Sequence, residues 1–490
     1  MVFRTRSFYQ YVAMAAAGAV VILSGYVIAS FPQYTFYIML CCIGVFSVLL
    51  VFLLRKIEYL IYMILAATMF ASGIPRGFLI PSIPLRPNEL ALITLAGIIF
   101  VWSLLFNRPQ DRASIASGPI DLVFLVIFIG RGLIPTLIYL ARGNSFSTAD
   151  IVTTFGFAQQ YILYRVVLIA ITTKNASRTV LRVLIFLSTI VAVLALFQAM
   201  NVFGVRELLT TLRIGEGSLA FGARQDYYVD RGRAYSLLGS WNTLGAYMAM
   251  NLSIIYVYYL CLKIGKKESF FLLVAFMLDM IGLLASGSFT GVALFVIGIL
   301  LATILGQRVT GRATLKLTLV ISVVLALGLG AYLLRSGIQN RLAFQFRGND
   351  VNLIPTTLQA RIVLWTSVFI PYIKSNIVQL ILGVGPQGIS IEENYYLYLI
   401  TRYGLSGLCA YLYAIFYLIK LMYRYINIKY KGLPGSLALM SFIVIVQISI
   451  ASWSARYFDY SGISETLWVI LALWSVNRHL DVNKESVNVV

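Results

Sequence analysis

The sequence carries little charge for its length. Only 11% of its 490 residues are charged, whereas 60% are hydrophobic and the mean hydropathy is +0.88. Soluble domains contain roughly 25% charged residues, so this chain cannot cover a large water-exposed surface. The composition therefore excludes a soluble enzyme, a disordered protein and a disulfide scaffold, and it predicts a polytopic membrane protein.

Side chains that bind metals or act as bases are also scarce. The single His is His479, near the C-terminus, and the sequence has no His-x-x-x-His pair, cysteine cluster or acidic run. We therefore predict neither a transition-metal site nor another cofactor. Because no Ser–His pair is available in the outer loops, catalysis there must use carboxylates, Tyr or Arg. The four Cys residues lie in apolar runs without C-x-x-C spacing, which is typical of small buried side chains.

Apolar runs, by contrast, are long and frequent. A membrane-crossing helix needs about 20 mostly apolar residues. Runs of this kind predict an all-α transmembrane helical bundle of about 14 spans, within a range of 12–14. The predicted spans lie near 9–30, 34–54, 58–74, 88–106, 119–141, 150–172, 179–203, 238–262, 269–286, 288–307, 315–334, 394–424, 436–456 and 461–478.

The basic residues indicate how the bundle is oriented. The chain has 38 Lys and Arg against 18 Asp and Glu, a net charge of +20, and cytoplasmic loops are the ones that accumulate Lys and Arg. With the N-terminus inside, 21 of the 38 fall in the eight inner segments and four in the short outer loops. Both termini are therefore predicted to be cytoplasmic. Most of the positive charge sets the topology, and no nucleic-acid partner is expected.

Two long outer segments, 204–237 and 335–393, run against this rule. They hold ten basic residues, nine of them Arg, and Arg is suited to bidentate contacts with phosphate or carboxylate. Long loops cross membranes regardless of charge and are usually functional. The chain thus divides into N-terminal spans (1–203), an Arg-rich outer segment (204–237), central spans (238–334), a large helical outer loop expected to be catalytic (335–393), and C-terminal spans with a short cytoplasmic tail (394–490).

Two motifs lie at the end of the large outer loop. Gly383–Gly388 matches the dinucleotide-binding pattern G-x-G-x-x-G, but no strand–helix unit surrounds it, which favours a tight loop. Glu392-Glu393-Asn394 directly precedes a long span. It is typical of a helix N-terminus with an Asn cap, and it also fits a catalytic base at the membrane surface, where two adjacent carboxylates repel each other.

Other charged residues, in the Arg-rich outer segment and within predicted spans, fit either a structural role or a functional one. Arg231-Gly-Arg233 fits either a salt-bridged loop or an anion clamp. Arg131, Arg165 and Asp279 lie within predicted spans, where a charge needs a partner or a cavity. These three fit either structural ion pairs or a functional site.

Four stretches between about 230 and 410 follow one another in a distinctive order. They are Arg233-Ala-Tyr-Ser-Leu-Leu-Gly-Ser-Trp-Asn242 leading into a span, Leu284-Ala-Ser-Gly-Ser288 between two spans, Arg361-Ile-Val-Leu-Trp365 in the outer loop, and Leu382-Gly-Val-Gly-Pro386 followed by Glu393-Asn394-Tyr-Tyr-Leu and Tyr403-Gly-Leu-Ser-Gly407. In this topology they resemble the O-antigen polymerase and O-antigen ligase superfamily of bacterial membrane glycosyltransferases. The first 200 residues are similar to that superfamily only as a string of spans.

Two positions depart from the family pattern. Glu393 stands where ligases of this family commonly have a His, the proposed base, and this difference favours a polymerase. Phe289 stands where many members have Arg, which argues against an anion contact at that turn.

The resemblance implies a metal-independent glycosyltransferase of the bacterial cytoplasmic membrane. Such an enzyme joins polyprenyl-pyrophosphate-linked saccharides on the outer face and acts as a polymerase of O-antigen, capsule or exopolysaccharide repeat units. The implied partners are the lipid-linked saccharide, membrane lipid and a chain-length regulator. One alternative is a ligase that moves a lipid-linked glycan onto a lipid or protein acceptor. A second is a transporter or flippase of anionic lipid-linked substrates that uses Arg131, Arg165 and Asp279.

The resemblance and the residue chemistry together give candidate site residues. A departing pyrophosphate needs Arg donors in a dry pocket rather than a metal, and the acceptor hydroxyl needs a base within hydrogen-bond reach. The candidate base is Glu393, with Glu392 next. The candidate pyrophosphate ligands are Arg231, Arg233 and Arg361, followed by Arg341, Arg347 and Arg402. The candidate sugar-binding residues are Asn242, Asn394, Tyr395 and Tyr396.

Overall fold

A computed structural model of the chain describes residues 58–70, 86–106, 118–211, 233–310, 317–345, 356–371, 377–385, 394–427 and 432–487. Within these ranges the chain is helical and has no strand, which confirms the all-α prediction. In chain order the helices are α1 Glu58–Phe70, α2 Pro87–Phe106, α3 Pro119–Ala141, α4 Thr148–Phe155, α5 Ala158–Ala170, α6 Lys174–Met200, α7 Val205–Thr211, α8 Trp241–Cys261, α9 Lys266–Ser286, α10 Phe289–Thr310, α11 Leu317–Leu333, α12 Arg335–Gln345, α13 Thr356–Leu364, α14 Ile377–Leu382, α15 Tyr395–Asn427, α16 Leu433–Ala451 and α17 Ile463–Val487.

Seven of the described helices are long and apolar enough to cross a membrane. They are α3, α6, α8, α9, α10, α15 and α16. The predicted spans near 9–30 and 34–54 lie outside the described residues. The large loop after α11 contains the short helices α12, α13 and α14, in agreement with its predicted helical character.

One predicted span is wrong in detail. The apolar run 150–172 is divided into α4 and α5 by a turn at Gly156 and Phe157. With 8 and 13 residues and a rise of about 1.5 Å per residue, neither helix alone reaches across an apolar layer about 30 Å thick. Hydropathy missed the division because the residues of the turn are as apolar as the helices beside them.

Helix α8 is the centre of the bundle. Buried residues make up 89% of its apolar window, and α9, α10 and α16 pack around it. A helix covered on every side has no polar face, which accounts for its nearly unbroken run of apolar and small residues. At its closest approach, Gly245 of α8 faces Gly291 of α10, and a Cβ added at Gly291 would lie 2.7 Å from the Gly245 carbonyl.

Polar contacts join the helix ends into two groups, whose orientation in a membrane stays a prediction. In each contact, both residues belong to segments that the charge pattern assigns to the same side of the membrane. At the predicted inner end these contacts are Lys174 to Asp481, Arg182 to Glu268 and Arg308 to Asn427. At the predicted outer end they are Arg86 to Ser461, Arg142 to the Gly383 carbonyl and Arg233 to the Ser286 carbonyl.

The close approach of α8 and α10 gives a stability prediction. In the Gly291→Ala variant the added methyl group meets backbone atoms, which cannot rotate away, so the helices must separate. We expect a loss of about 1–3 kcal/mol in unfolding free energy, measured as a lower unfolding temperature in detergent. Gly328→Ala in α11 is the control, since a Cβ there meets nothing within 4 Å. Equal unfolding temperatures for the two variants would contradict the packing.

Candidate functional site

A short connector, residues 452–462 between α16 and α17, joins several helices at the predicted outer end. The Ser452 carbonyl accepts a hydrogen bond of 2.8 Å from the backbone N–H of Tyr395. The Tyr457 hydroxyl donates to the Asn242 carbonyl at 3.4 Å. The Ser461 hydroxyl accepts from Asn88 at 3.2 Å. The connector therefore ties the starts of α2, α8 and α15 together.

The strongest contact of the connector is an ion pair with α3. Both terminal nitrogens of Arg131 donate to the carboxylate of Asp459, at 2.8 and 3.1 Å. The same guanidinium donates to the Tyr395 hydroxyl at 2.8 Å. Arg131 is only 7% exposed and the Asp459 side chain 21%, so this charge-assisted, bidentate pair is largely shielded from water, and such bonds are strong.

A π-helical turn at Phe128–Leu133 carries Arg131 within α3. A π turn leaves a looser hydrogen-bond ladder, and the Ser406 hydroxyl of α15 donates to the Gly130 carbonyl at 3.0 Å. The Arg131 guanidinium also faces the rings of Phe157 and Tyr403, 5.7 and 5.1 Å from their centroids. Aromatic faces and a carboxylate thus surround the cation, as a buried guanidinium requires.

Two further guanidinium groups face one buried tyrosine ring. Arg402 lies 5.0 Å and Arg456 lies 4.7 Å from the ring centroid of Tyr398. The Tyr398 hydroxyl is 3.5 Å from that of Tyr403, which is also beside Arg131. The Nε atom of Arg402 is buried without a protein hydrogen-bond partner. We call Arg131, Arg402, Arg456, Asp459, Tyr395, Tyr398 and Tyr403 the tyrosine cluster; among these described side chains are three guanidinium groups and one carboxylate.

The glycine motif before α15 has a structural role. Helix α15 is broken at Gly404, whose φ of +66° lies in the left-handed region. The break frees the carbonyls of Thr401 and Arg402, which accept the backbone N–H groups of Val384 and Gly385 at 3.2 and 2.9 Å. In its described part, 383–385, the motif is non-helical and its amides pair with the broken helix, as a tight loop would; residues 386–388 lie outside the described residues.

Arg233 lies at the serine-rich turn between α9 and α10. Its guanidinium donates to the carbonyls of Ser286 and Gly287, at 3.3 and 3.2 Å, and stacks on the Trp241 ring at 4.2 Å. These carbonyls form the C-terminus of α9, the negative end of the helix dipole, which attracts a cation. Two stretches about 50 residues apart in sequence are thus held together by one buried side chain.

Arg233 also lines an apolar cavity of about 120 Å³. Its walls come from α9, α10, the end of α11 and helix α12. The lining side chains Phe289 and Leu342 are exposed on the outside of the bundle. The other lining residues are Leu283, Leu284, Ala285, Gly287, Ser288, Val292, Leu334, Gly337 and Ile338. The cavity therefore combines one guanidinium group with walls suited to a hydrocarbon chain.

Arg361 of α13 approaches the connector at Tyr457. Burial raises the pKa of the Tyr457 phenol above its usual range, while a hydrogen bond to Ser454 and the positive charge of Arg361 partly oppose this shift. The phenol is therefore protonated at neutral pH and able to donate to the Asn242 carbonyl. Tyr457 therefore interacts both with Arg361 and with the start of α8.

Several predicted site residues have visible structural contacts. Asn394 caps α15, since its side-chain oxygen accepts the Leu397 N–H at 3.1 Å. Tyr395 belongs to the Arg131 ion pair, and the Tyr396 hydroxyl donates to the Ser449 carbonyl at 2.7 Å. These contacts place the three residues beside the connector; sugar binding stays a prediction for them and for Asn242.

The remaining predicted residues have no described side-chain contacts. Glu392, Glu393, Arg231 and Arg347 lie outside the described residues. Arg341 is on α12, the helix that lines the 120 Å³ cavity, and its side chain is not described. In the described ranges, no three His, Cys, Asp or Glu side chains are grouped as metal ligands.

Sequence reasoning missed the connector. Its residues Arg456, Tyr457 and Asp459 are not among the predicted site residues. The available signal was Arg131: a charge within a span needs a partner, and Asp459 is an acid close to the outer end of another span. A single sequence does not reveal which acid is the partner, because the two residues are 328 positions apart.

The three charges assigned to the transport alternative are separate from one another. Arg131 pairs with Asp459, Arg165 contacts Asp121 at 3.3 Å, and Asp279 is hydrogen bonded to Ser188 at 2.7 Å. Each thus has its own local partner, in agreement with a structural role.

No protein-family model matches this chain, and no curated protein matches it in sequence. The resemblance to the polymerase and ligase superfamily therefore rests on the sequence motifs alone.

The ion pair of Arg131 gives a second stability prediction. Arg131→Gln leaves the Asp459 carboxylate without its partner, and we expect a loss of about 3–5 kcal/mol in unfolding free energy. Adding Asp459→Asn removes the unpaired charge and should recover part of that loss, as measured by unfolding in a double-mutant cycle. Arg182→Gln is the control, because its pair with Glu268 is 45% exposed on the Arg side and is worth at most about 1 kcal/mol. Equal losses for Arg131→Gln and Arg182→Gln would contradict this role.

Proposed function

We propose that this protein is a polysaccharide polymerase that joins polyprenyl-pyrophosphate-linked saccharides at the outer face of the bacterial cytoplasmic membrane. The observation that carries the proposal is the convergence of the four sequence stretches of the resemblance. The Arg233 stretch bonds to the serine-rich turn, the Asn242 carbonyl accepts from Tyr457, Arg361 is close enough to Tyr457 to interact with it electrostatically, and the glycine loop pairs with α15.

The cavity at Arg233 supports binding of a lipid-linked donor. A polyprenyl chain needs an apolar groove that is open to the membrane, and its pyrophosphate needs cationic donors at one end of that groove. The apolar walls of this cavity reach the outside of the bundle at Phe289 and Leu342, and Arg233 lines its interior. Arg341 lies on the same α12 helix. Phe289 fits the apolar wall, in line with the expectation of no anion contact at that position.

The tyrosine cluster supports the chemistry of the transfer. Arg402 and Arg456 provide positive charge for a leaving pyrophosphate without a metal, and Tyr398 holds their guanidinium groups in place. Glu393, the proposed base, directly precedes Asn394, whose cap fixes the start of α15. We place Glu393 as the group that accepts the proton of the acceptor hydroxyl, with Glu392 as its neighbour.

The proposal includes the finer topology. It has about 14 spans, both termini in the cytoplasm and the connector on the outer side. The pairing of helix ends supports this arrangement, because residues from inner and outer segments gather at opposite ends. A chain-length regulator would act from the same outer side.

The reaction type is tested with one purified protein and a lipid-linked oligosaccharide. We expect a ladder of products, because a polymerase uses the same saccharide as donor and acceptor. A single transfer that requires a second acceptor would instead identify a ligase. If no new covalent product forms while the lipid crosses the bilayer of a vesicle, the protein is a transporter and the proposal is wrong.

The assigned residues are tested in the same assay. We expect Glu393→Gln to lower the polymerisation rate by about 10²–10⁴-fold, the usual contribution of a general base, and Arg361→Ala to abolish polymer. Arg335→Ala is the control, since Arg335 is an exposed arginine of the same outer segment. Unfolding temperatures close to the wild-type value show that the variants fold. Wild-type chain lengths from Glu393→Gln would overturn its assignment as the base.

A further inference from the structure

Four polar side chains meet inside the bundle, away from the tyrosine cluster and the Arg233 cavity. Ser188 comes from α6, Tyr247 and Asn251 from α8, and Asp279 from α9, and none of the four has any exposed surface. Tyr247 and Asn251 are one helical turn apart, so their side chains lie on the same face of α8. The Asp279 carboxyl is close enough to interact electrostatically with the Tyr247 hydroxyl, and the Asn251 side chain is a neighbour of that hydroxyl.

Three oxygen atoms of this group have no protein hydrogen-bond partner. They are Oδ1 of Asp279, the hydroxyl oxygen of Tyr247 and Oδ1 of Asn251. The Asn251 amide nitrogen has two hydrogens; one goes to the Tyr247 carbonyl at 2.9 Å, and the other is available to the neighbouring Tyr247 hydroxyl. Buried polar atoms are nearly always paired, with protein or with ordered water. Three such atoms on neighbouring side chains therefore need a partner that the described residues do not supply.

The hydrogen bonds of Ser188 indicate the protonation state of Asp279. The Ser188 hydroxyl oxygen lies 2.8 Å from the Ile185 carbonyl and 2.7 Å from Oδ2 of Asp279. A serine has one hydroxyl hydrogen, so it can donate to only one of these oxygens. If it donates to Ile185, the short contact with Asp279 requires a proton on the carboxyl group.

We infer that Asp279 binds a proton at neutral pH and that its carboxylic acid, with Tyr247 and Asn251, encloses one water molecule. The acid donates from Oδ2 to Ser188, and Ser188 donates to the Ile185 carbonyl. The water accepts from the Tyr247 hydroxyl and donates to Oδ1 of Asp279 and Oδ1 of Asn251. Three hydrogen bonds are typical of a buried water, and each of the three oxygen atoms then has a partner.

The alternative to a proton on Asp279 and a bound water is a monovalent metal cation bound between the same oxygen atoms. Carboxylate, amide and phenol oxygens are ligands of hard cations, and a cation would compensate an ionised Asp279. In the described part of the chain, no Lys or Arg forms a salt bridge with Asp279. An ionised carboxylate would therefore be stable here only with a bound ion, and the experiment distinguishes the ion from the proton.

A neutral acid here has a consequence for the transport alternative. Without charge, Asp279 is not a counter-ion for a substrate. Its role is to join α6, α8 and α9 about two helical turns below the serine-rich turn. The inference does not rest on the proposed polymerase function, and its test does not use activity.

The test is infrared spectroscopy of the purified wild-type protein at neutral pH. A protonated aspartic acid has a carboxylic-acid C=O band that a carboxylate lacks. We expect this band to shift when aspartate carries ¹³C in its side-chain carboxyl, and to be absent from Asp279→Asn. Asp279→Asn should keep the network, because its amide can donate to Ser188. Its unfolding temperature should therefore lie within about 3 °C of the wild type, whereas Asp279→Leu should unfold at a clearly lower temperature.

The cation alternative is tested on wild-type protein alone. Unfolding temperatures are compared in sodium, lithium and choline chloride at equal ionic strength, and we expect no difference among them. Stabilisation by sodium or lithium overturns the inference, and so does a wild-type spectrum without a ¹³C-sensitive carboxylic-acid band. Neither result requires any variant to fold.

Discussion

The ion pair between Arg131 and Asp459 is the contact on which the predicted outer end depends. It places two opposite charges in an apolar bundle, where either one alone would be strongly unfavourable. The pair therefore fixes the position of the connector relative to α3. The connector in turn contacts Asn242 through Tyr457 and the start of α15 through Ser452. Helices far apart in sequence thus share one point of attachment.

The arginines at this end of the molecule are held in two different ways. Arg233 uses helix C-terminal carbonyls and an indole ring, so its charge is partly neutralised by fixed dipoles. The guanidinium groups of Arg402 and Arg456 face the ring of one tyrosine, Tyr398, which orients them through cation–π contact. The first arrangement suits an arginine that holds the backbone of the serine-rich turn in place. The second suits arginines that bind and release an anionic ligand.

The helical class could be predicted from composition because lipid forces the backbone to pair within each span. Most helix positions could also be predicted, since apolar runs mark them. The division of 150–172 into α4 and α5 could not, because a turn made of apolar residues leaves no hydropathy signal. The motif order indicated the region of the site, and Arg233 and Arg361 are within it. The position of the connector and the identity of the partner of Arg131 depend on contacts between residues far apart in the chain, and such contacts cannot be predicted from one sequence.

The π turn in α3 has a consequence for how this helix meets its surroundings. A π turn closes its hydrogen bonds one residue later than an α turn, and one residue corresponds to roughly 100° of rotation. The face presented by Ile134–Ala141 is therefore rotated relative to the face that a continuous helix from Pro119 would present. The extra residue in this turn thus allows one helix to bury Arg131 while Ile134, Leu137 and Leu140 after it are exposed on the outside of the bundle.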